Sequence, residues 1–275
     1  MVGGQPEKKM KQLIHSGLPI WYDENSFKLF FRDGLTCGGD GGKDAGKMRG
    51  LLYEEENLKE TEHCYDFYRD IVFEKDRHIY EKYDFRYDIT AIMPGTVNGE
   101  CKKTSGHYHG YIPGRSTIYP EVYEVLEGQA VFLLQKAMNF DRDEEPELSS
   151  VKALKVEAGQ AVIIPPFYGH CGINSGDGVL YFSNIAVVSC PLHYEPVKQK
   201  HGMGYYLLGK GAEQRYEANR NYEKLPELEE IAAKECPELG ITFGEPVYGS
   251  FVSNPEKFDF LLHPEKYSEQ MESLI

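Results

Sequence analysis

No apolar run in the 275-residue chain approaches the roughly 18–20 residues that span a bilayer. The N-terminal MVGGQPEKKMKQ is not followed by a signal-peptide core, so a cytoplasmic protein that does not engage a membrane is expected. Basic side chains are scarce: 30 Lys and Arg stand against 44 Asp and Glu, a balance of −14. That deficit opposes nonspecific attraction to nucleic acid or anionic lipid, and the charge of any anionic ligand must be met locally. The six cysteines (Cys37, Cys64, Cys101, Cys171, Cys190 and Cys236) include no C-x-x-C pair. Scattered over so long a chain, they do not make the dense framework of a small secreted domain, and reduced thiols are expected. The glycine-rich CGGDGGKDAG at 37–46 lacks the G-x-x-x-x-G-K-[ST] phosphate loop, since Met48 follows Lys47, and reads as a loop. No internal repeat is visible.

Hydrophobic residues make up 41% of the chain and charged residues 27%, with 20 Tyr and 14 Phe spread over its length, which excludes disorder as the main state. At roughly 100–200 residues per domain, one large domain or two small ones are expected. Residues 54–71 are charged and largely free of breakers, which predicts a helix. From about 79 the pattern becomes short runs of Ile, Val, Tyr and Phe punctuated by PG, NG, EG, AG, PP and SGDG. Strands are predicted at 86–93, 100–108, 121–127, 129–136, 151–156, 160–164 and 179–188, with helices returning at 223–235 and 264–274. Many short strands with no helices between them argue for an antiparallel sandwich or barrel. The expected organisation is an N-terminal extension (1–75), a single antiparallel β-barrel (76–200), and a partly helical C-terminal extension (201–275).

The barrel region carries T-S-G-H-Y-H at 104–109. His107 and His109, at i and i+2 on a strand, point to one face. Glu121 opens a strand that ends at Gly128, and IIPPFYGH leads to His170. Glu124, three residues after Glu121, points to the opposite face. Three imidazoles and one carboxylate suit a divalent transition metal, with one or two positions left for substrate or water. The order H-x-H, E-x6-G, P-x4-H is the ligand pattern of the cupin jelly-roll barrel.

The run GHYHGYIPGRSTIYPEVYEVLEGQAVFLLQ, preceded by TAIMPGTVNGECKKTS and followed by VIIPPFYGHCGINSGD, resembles the cupin-type glucose-6-phosphate isomerases first recognised in archaea. The resemblance is dense over about 86–184 and continues, thinner, to about 222. It implies a homodimer that interconverts glucose 6-phosphate and fructose 6-phosphate with a divalent metal, iron first, with manganese, nickel, cobalt or zinc also accepted by such ligands. Carried over residue by residue, it implies His107, His109, Glu121 and His170 as metal ligands and Thr90, Thr104 and Gly106 as phosphate contacts. Glu121 and Tyr123, on one strand face, are the catalytic candidates, Glu121 as base. Lys102, Lys103 and Arg115 could assist with phosphate, although each also reads as a solvated surface charge. The insertion between His109 and Glu121, with Pro113 and Gly114, suggests a loop over the barrel mouth that could close as a lid. The chain departs from the family at Phe167 and Ala186, where tyrosines are found in other members, and His193 and Tyr194 fall near the family's pocket only with a gap in the alignment. Other readings of the same site are an isomerase or epimerase for another sugar, such as mannose 6-phosphate or a uronate, a noncatalytic sugar-binding cupin, and an oxygenase.

Overall fold

In 121–127 the side chains alternate across the pleat, so that Glu121, Tyr123 and Val125 face one way and Val122, Glu124 and Leu126 the other. Every one of these residues is buried, which requires a layer of protein on both sides. A computed structural model describing residues 9–142 and 145–275 shows those layers. Residues 1–8, and with them most of the segment read as lacking a signal peptide, lie outside the described residues.

The structure is mainly β. A six-stranded antiparallel sheet runs in the order Ala161–Ile164, Glu121–Glu127, Leu180–Val187, Phe85–Ile92, His63–Phe73 and Leu35–Asp44. A four-stranded sheet orders Tyr168–Asn174, Gln129–Ala137, Leu148–Glu157 and Leu228–Ala232. The two meet through Tyr123, Phe132 and Phe182, whose rings lie 4.7–5.4 Å apart. The outer face of the six-stranded sheet, with Tyr87, Ile89, Val122 and Ile185, packs against Leu13 and Ile20 from the N-terminal segment and Val247, Phe251 and Phe258 from the C-terminal one. The strands thus form separate sheets in face-to-face contact, where sequence pattern suggested one barrel.

Four elements differ from expectation, the first being the strand predicted at 100–108, which is reduced to Glu100–Cys101 and the start of Tyr108–His109. The segment 54–71 does not form a helix: His63–Phe73 is a strand, because Tyr65, Phe67, Tyr68, Ile71, Val72 and Phe73 favour a pleated, half-buried surface. The glycine-rich stretch is the strand Leu35–Asp44 paired with it. A Cβ at Gly41 would come within 2.6 Å of the Phe67 ring, so glycine there admits the ring. The predicted extension at 1–75 therefore contributes two strands to the sheet that carries the site. Residues 228–232 form a strand parallel to Leu148–Glu157, held by the ion pairs Lys152–Glu229 and Lys155–Glu230, with Pro226 opposing the expected helix over 223–235. The C-terminal helix is present as Ser268–Glu272. No helix among the described residues is long and apolar enough to cross a membrane.

Glu124 occupies the outer interface, accepting hydrogen bonds from the Val247 N–H (3.2 Å) and the Ser183 hydroxyl (3.2 Å). Burial pushes its carboxyl up to about 8 from 4.5. With the folded value above the unfolded one, its contribution to stability is complete below about pH 4.5 and is lost as pH rises through 8. Glu124→Gln is expected to gain on the wild type between pH 5 and pH 8.5, by a few kcal/mol at most. Urea unfolding across that range measures it, and a difference that stays constant with pH would refute the assignment.

Candidate metal centre and substrate cavity

His109 lies on the two-residue strand Tyr108–His109, and His107 and His170 exchange backbone hydrogen bonds of 3.1 and 2.9 Å. That pairing fixes the three imidazoles against one another, with ring centroids 4.7–5.3 Å apart. Tyr108 points the other way, fully buried and stacked on Phe140, and keeps the H-x-H segment in register. Gly169 is required beside it, because a Cβ there would fall 2.5 Å from the Tyr108 ring.

The ligand atoms of His107, His109, Glu121 and His170 all lie within 4.8 Å of one another, the last three residues buried. Nδ1 of His109 lies 3.0 Å from the Tyr119 carbonyl and Nδ1 of His170 lies 3.1 Å from that of Tyr168. Donation to those carbonyls places a ring proton on each Nδ1 and turns each Nε2 into the site. Both Nε2 atoms converge on Oε2 of Glu121, at 3.2 and 3.1 Å, while Oε1 accepts 2.8 Å from the Asn184 amide. Burial opposes ionisation of Glu121, but the hydrogen bonds and charges of His109 and His170 hold its carboxyl well below the ordinary range. Burial and the neighbouring imidazoles of His170 and His109 hold His107 well below its usual value. A neutral imidazole at His107, an ionised carboxylate and two Nε2 atoms whose protons a divalent cation would displace are a suitable ligand set for such an ion.

These groups open onto a cavity of about 170 Å³. Thr90, Thr104 and Tyr123 line it, with Asn184 and Ala186. Gly106 is not among the lining residues but links Ser105 and His107, which are; its φ of +75° turns the chain between them. Tyr194 also lines the cavity and packs on His107 at 5.2 Å, whereas His193 packs on Phe140. Glu124 lies behind the sheet.

The phosphate-assisting cations are placed elsewhere. Lys102 and Lys103 are buried and bonded to Glu62 and Glu100, and Arg115 is tied to Glu265 and the Leu262 carbonyl. None of the three lines the cavity. The same ties at Arg115, with the Tyr111–Ile118 bridge, anchor the 110–120 segment, and no residue of it lines the cavity, so the structure gives it no lid role. Phe167 lies outside the lining too, packed against Tyr111 with φ +69°.

Sequence reasoning missed Arg69, Arg86 and Asp88. Asp88 is fully buried and accepts from Arg69 (2.8 Å) and Arg86 (2.9 Å) through one oxygen and from the Asp70 N–H (2.9 Å) through the other. Two guanidiniums on one carboxylate leave a net positive charge on the wall. Alternation was the available signal: Arg86 and Asp88 share the face of Thr90 at steps of two. Ala186 stands opposite Arg86 in the pairing, where a larger side chain would fill the space.

Fold and site together define a mainly β protein with a three-histidine, one-glutamate group inside it. Residues 42–227 match the family model for glucose-6-phosphate isomerase. The chain belongs to that family, whose members are aldose–ketose isomerases. It is 28% identical over 162 residues to the glucose-6-phosphate isomerase of Thermococcus litoralis, covering 56% of this chain and 72% of the relative. The Pyrococcus furiosus enzyme is 26% identical over 166 residues, covering 57% and 79%. Among solved structures, an oxalate oxidase bound to glycolate overlaps 37% of this chain and 41% of its own at 17% identity and a TM-score of 0.27. A hazelnut vicilin overlaps 52% and 34% at 13% identity and a TM-score of 0.34.

Proposed function

We propose that the protein interconverts glucose 6-phosphate and fructose 6-phosphate in central carbohydrate metabolism, with one divalent metal ion, iron first, held by His107, His109, Glu121 and His170. The observation that carries this is the convergence of two Nε2 atoms on the Glu121 carboxylate inside a cavity also lined by Thr90 and Thr104. A bound divalent ion supplies Lewis-acid polarisation of the substrate oxygens at C1 and C2.

The chain's own residues account for the rest of the chemistry. Isomerisation moves hydrogen between C1 and C2, and Glu121, held ionised, is the proton acceptor of a cis-enediol route. Burial and the adjacent Glu121 keep the Tyr123 phenol protonated, so it donates to Glu121 or to a sugar hydroxyl. Thr104 Oγ1 accepts the Gly172 N–H at 3.0 Å, which leaves its O–H to donate to phosphate, with Thr90 and the Gly106 backbone as further contacts. Assembly as a cytoplasmic homodimer belongs to the same reading and is supported by the family membership alone.

Turnover of fructose 6-phosphate in deuterated water, with and without chelator, tests the reading. Isomerisation that chelation abolishes and iron(II) or manganese restores is expected, with deuterium entering C1 or C2. Full activity after chelation and dialysis would sink the metal. No turnover of either sugar phosphate would remove the substrate, and turnover of mannose 6-phosphate instead would reassign it. Absence of label, with a primary isotope effect from C2-deuterated glucose 6-phosphate, would mean hydride shift and leave Glu121 a ligand only.

A further inference from the structure

Lys43 lies on the strand Leu35–Asp44, in register with Tyr65. Its ammonium donates to Ser105 Oγ at 2.7 Å, and that oxygen is 3.3 Å from the Tyr65 hydroxyl. Lys43 Nζ also sits 5.7 Å from the Tyr194 ring centroid. Tyr65, Ser105 and Tyr194 line the cavity alongside Thr90 and Thr104. Lys43 itself is not among the lining residues; it stands one hydrogen bond behind Ser105, on the hydroxyl-rich side of the substrate cavity.

What distinguishes it is a half-buried position on a cavity-lining hydroxyl with no acid partner. Lys28 is paired with Asp66, Lys102 with Glu62 and Lys103 with Glu100, whereas no carboxylate among the described residues lies within ion-pair distance of Lys43. Burial, and the like charge of Lys47, lower its pKa, so an anion arriving there would relieve a destabilised ammonium. Burial pushes the Tyr65 phenol up to about 12, which keeps it a donor. Ser105 spends its proton on the Met48 sulfur, a weak acceptor, and can redirect it. One ammonium with the hydroxyls of Ser105, Tyr65 and Thr104 matches a tetrahedral dianion with several acceptor oxygens better than a planar carboxylate.

We propose that Lys43, fixed by Ser105 and Tyr65, is the cation that recognises the phosphate group of the substrate. This rests on the reading above that the ligand is a sugar phosphate. The competing station is the Arg69–Asp88–Arg86 cluster, whose guanidiniums are already engaged by a carboxylate.

The test uses two probes that cannot be isomerised, inorganic phosphate and sorbitol 6-phosphate, with sorbitol as control. Calorimetric titration of the metal-loaded protein is compared for the wild type, Lys43→Met, Lys43→Arg, Thr104→Val and Arg86→Ala. Lys43→Met is expected to bind both phosphate probes at least tenfold more weakly, with sorbitol binding and metal content unchanged. Lys43→Arg, which restores the charge, should recover to within about threefold. In turnover, KM for fructose 6-phosphate should rise at least tenfold while kcat changes by less than about threefold. Thr104→Val gives the scale of one lost hydroxyl donor. Wild-type affinity in Lys43→Met, or a loss confined to Arg86→Ala, would overturn the proposal. Should Lys43→Met fail to fold, Lys43→Gln keeps a donor to Ser105 without the charge, and wild-type affinity there overturns the proposal equally. A protein that binds the probes through Lys43 yet interconverts neither sugar phosphate would sink the isomerase reading and leave this one standing.

Discussion

The His107→Ala, His109→Ala double variant is expected to purify without bound divalent metal and to lose isomerase activity by about three orders of magnitude, with the fold retained. Removing the ion forfeits several kcal/mol of transition-state stabilisation, and each 1.36 kcal/mol is a factor of ten in rate. The fold should persist because these imidazoles are not the packing elements of their segment. Tyr108 fills that role from the opposite face, and the backbone pairing of residue 107 with His170 needs no side chain. Glu121 also keeps His170 and Asn184 as partners, so the substitution does not strand a buried carboxylate. Metal content by mass spectrometry, melting temperature and coupled activity decide the matter. Full metal retention in the double variant would end the assignment of the ligands.

A loss of about 3–5 kcal/mol in folding stability is expected for Phe251→Ala, far from the metal centre. The ring is fully buried and contacts Tyr80, Phe85 and Phe258 at centroid distances of 4.8, 5.3 and 5.4 Å. It sits in the helix Val247–Ser253, which presses Val247, Tyr248 and Phe251 onto the outer face of the six-stranded sheet. That loss is a large part of the roughly 5–15 kcal/mol that stabilises an ordinary domain. Urea unfolding should show a lower midpoint at an unchanged slope. A loss below about 1 kcal/mol would mean that the C-terminal segment decorates the sheet and does not complete its core. Because the helix packs on the face of the six-stranded sheet opposite to the one from which Glu121 points, metal content should not change at low denaturant.

The features that the amino-acid sequence determined by itself are those with a local period. Two histidines two residues apart share a strand face wherever that strand is built, and Glu121 and Glu124 part to opposite faces for the same reason. One joined the imidazoles, and the other was buried against Val247. The strands at 85–92, 121–127, 129–137, 148–157, 161–164 and 180–187 were legible because apolar alternation and turn residues bracket them, whereas Tyr168–Asn174, which carries His170, was not foreseen. What the tertiary structure alone decided depends on partners distant in the chain. Gly41 belongs to a strand because the Phe67 ring needs its missing side chain, and residues 228–232 extend because they pair in parallel with the backbone of 151–155. Charge roles divided the same way. Lys102 and Lys103, next to the motif in sequence, are neutralised by Glu62 and Glu100, while Lys43, 62 residues from Ser105, bonds to that cavity-lining serine with no carboxylate among the described residues in ion-pair distance. A cation's availability is set by whether a carboxylate comes within a few ångströms of it, and that distance is a property of the folded chain.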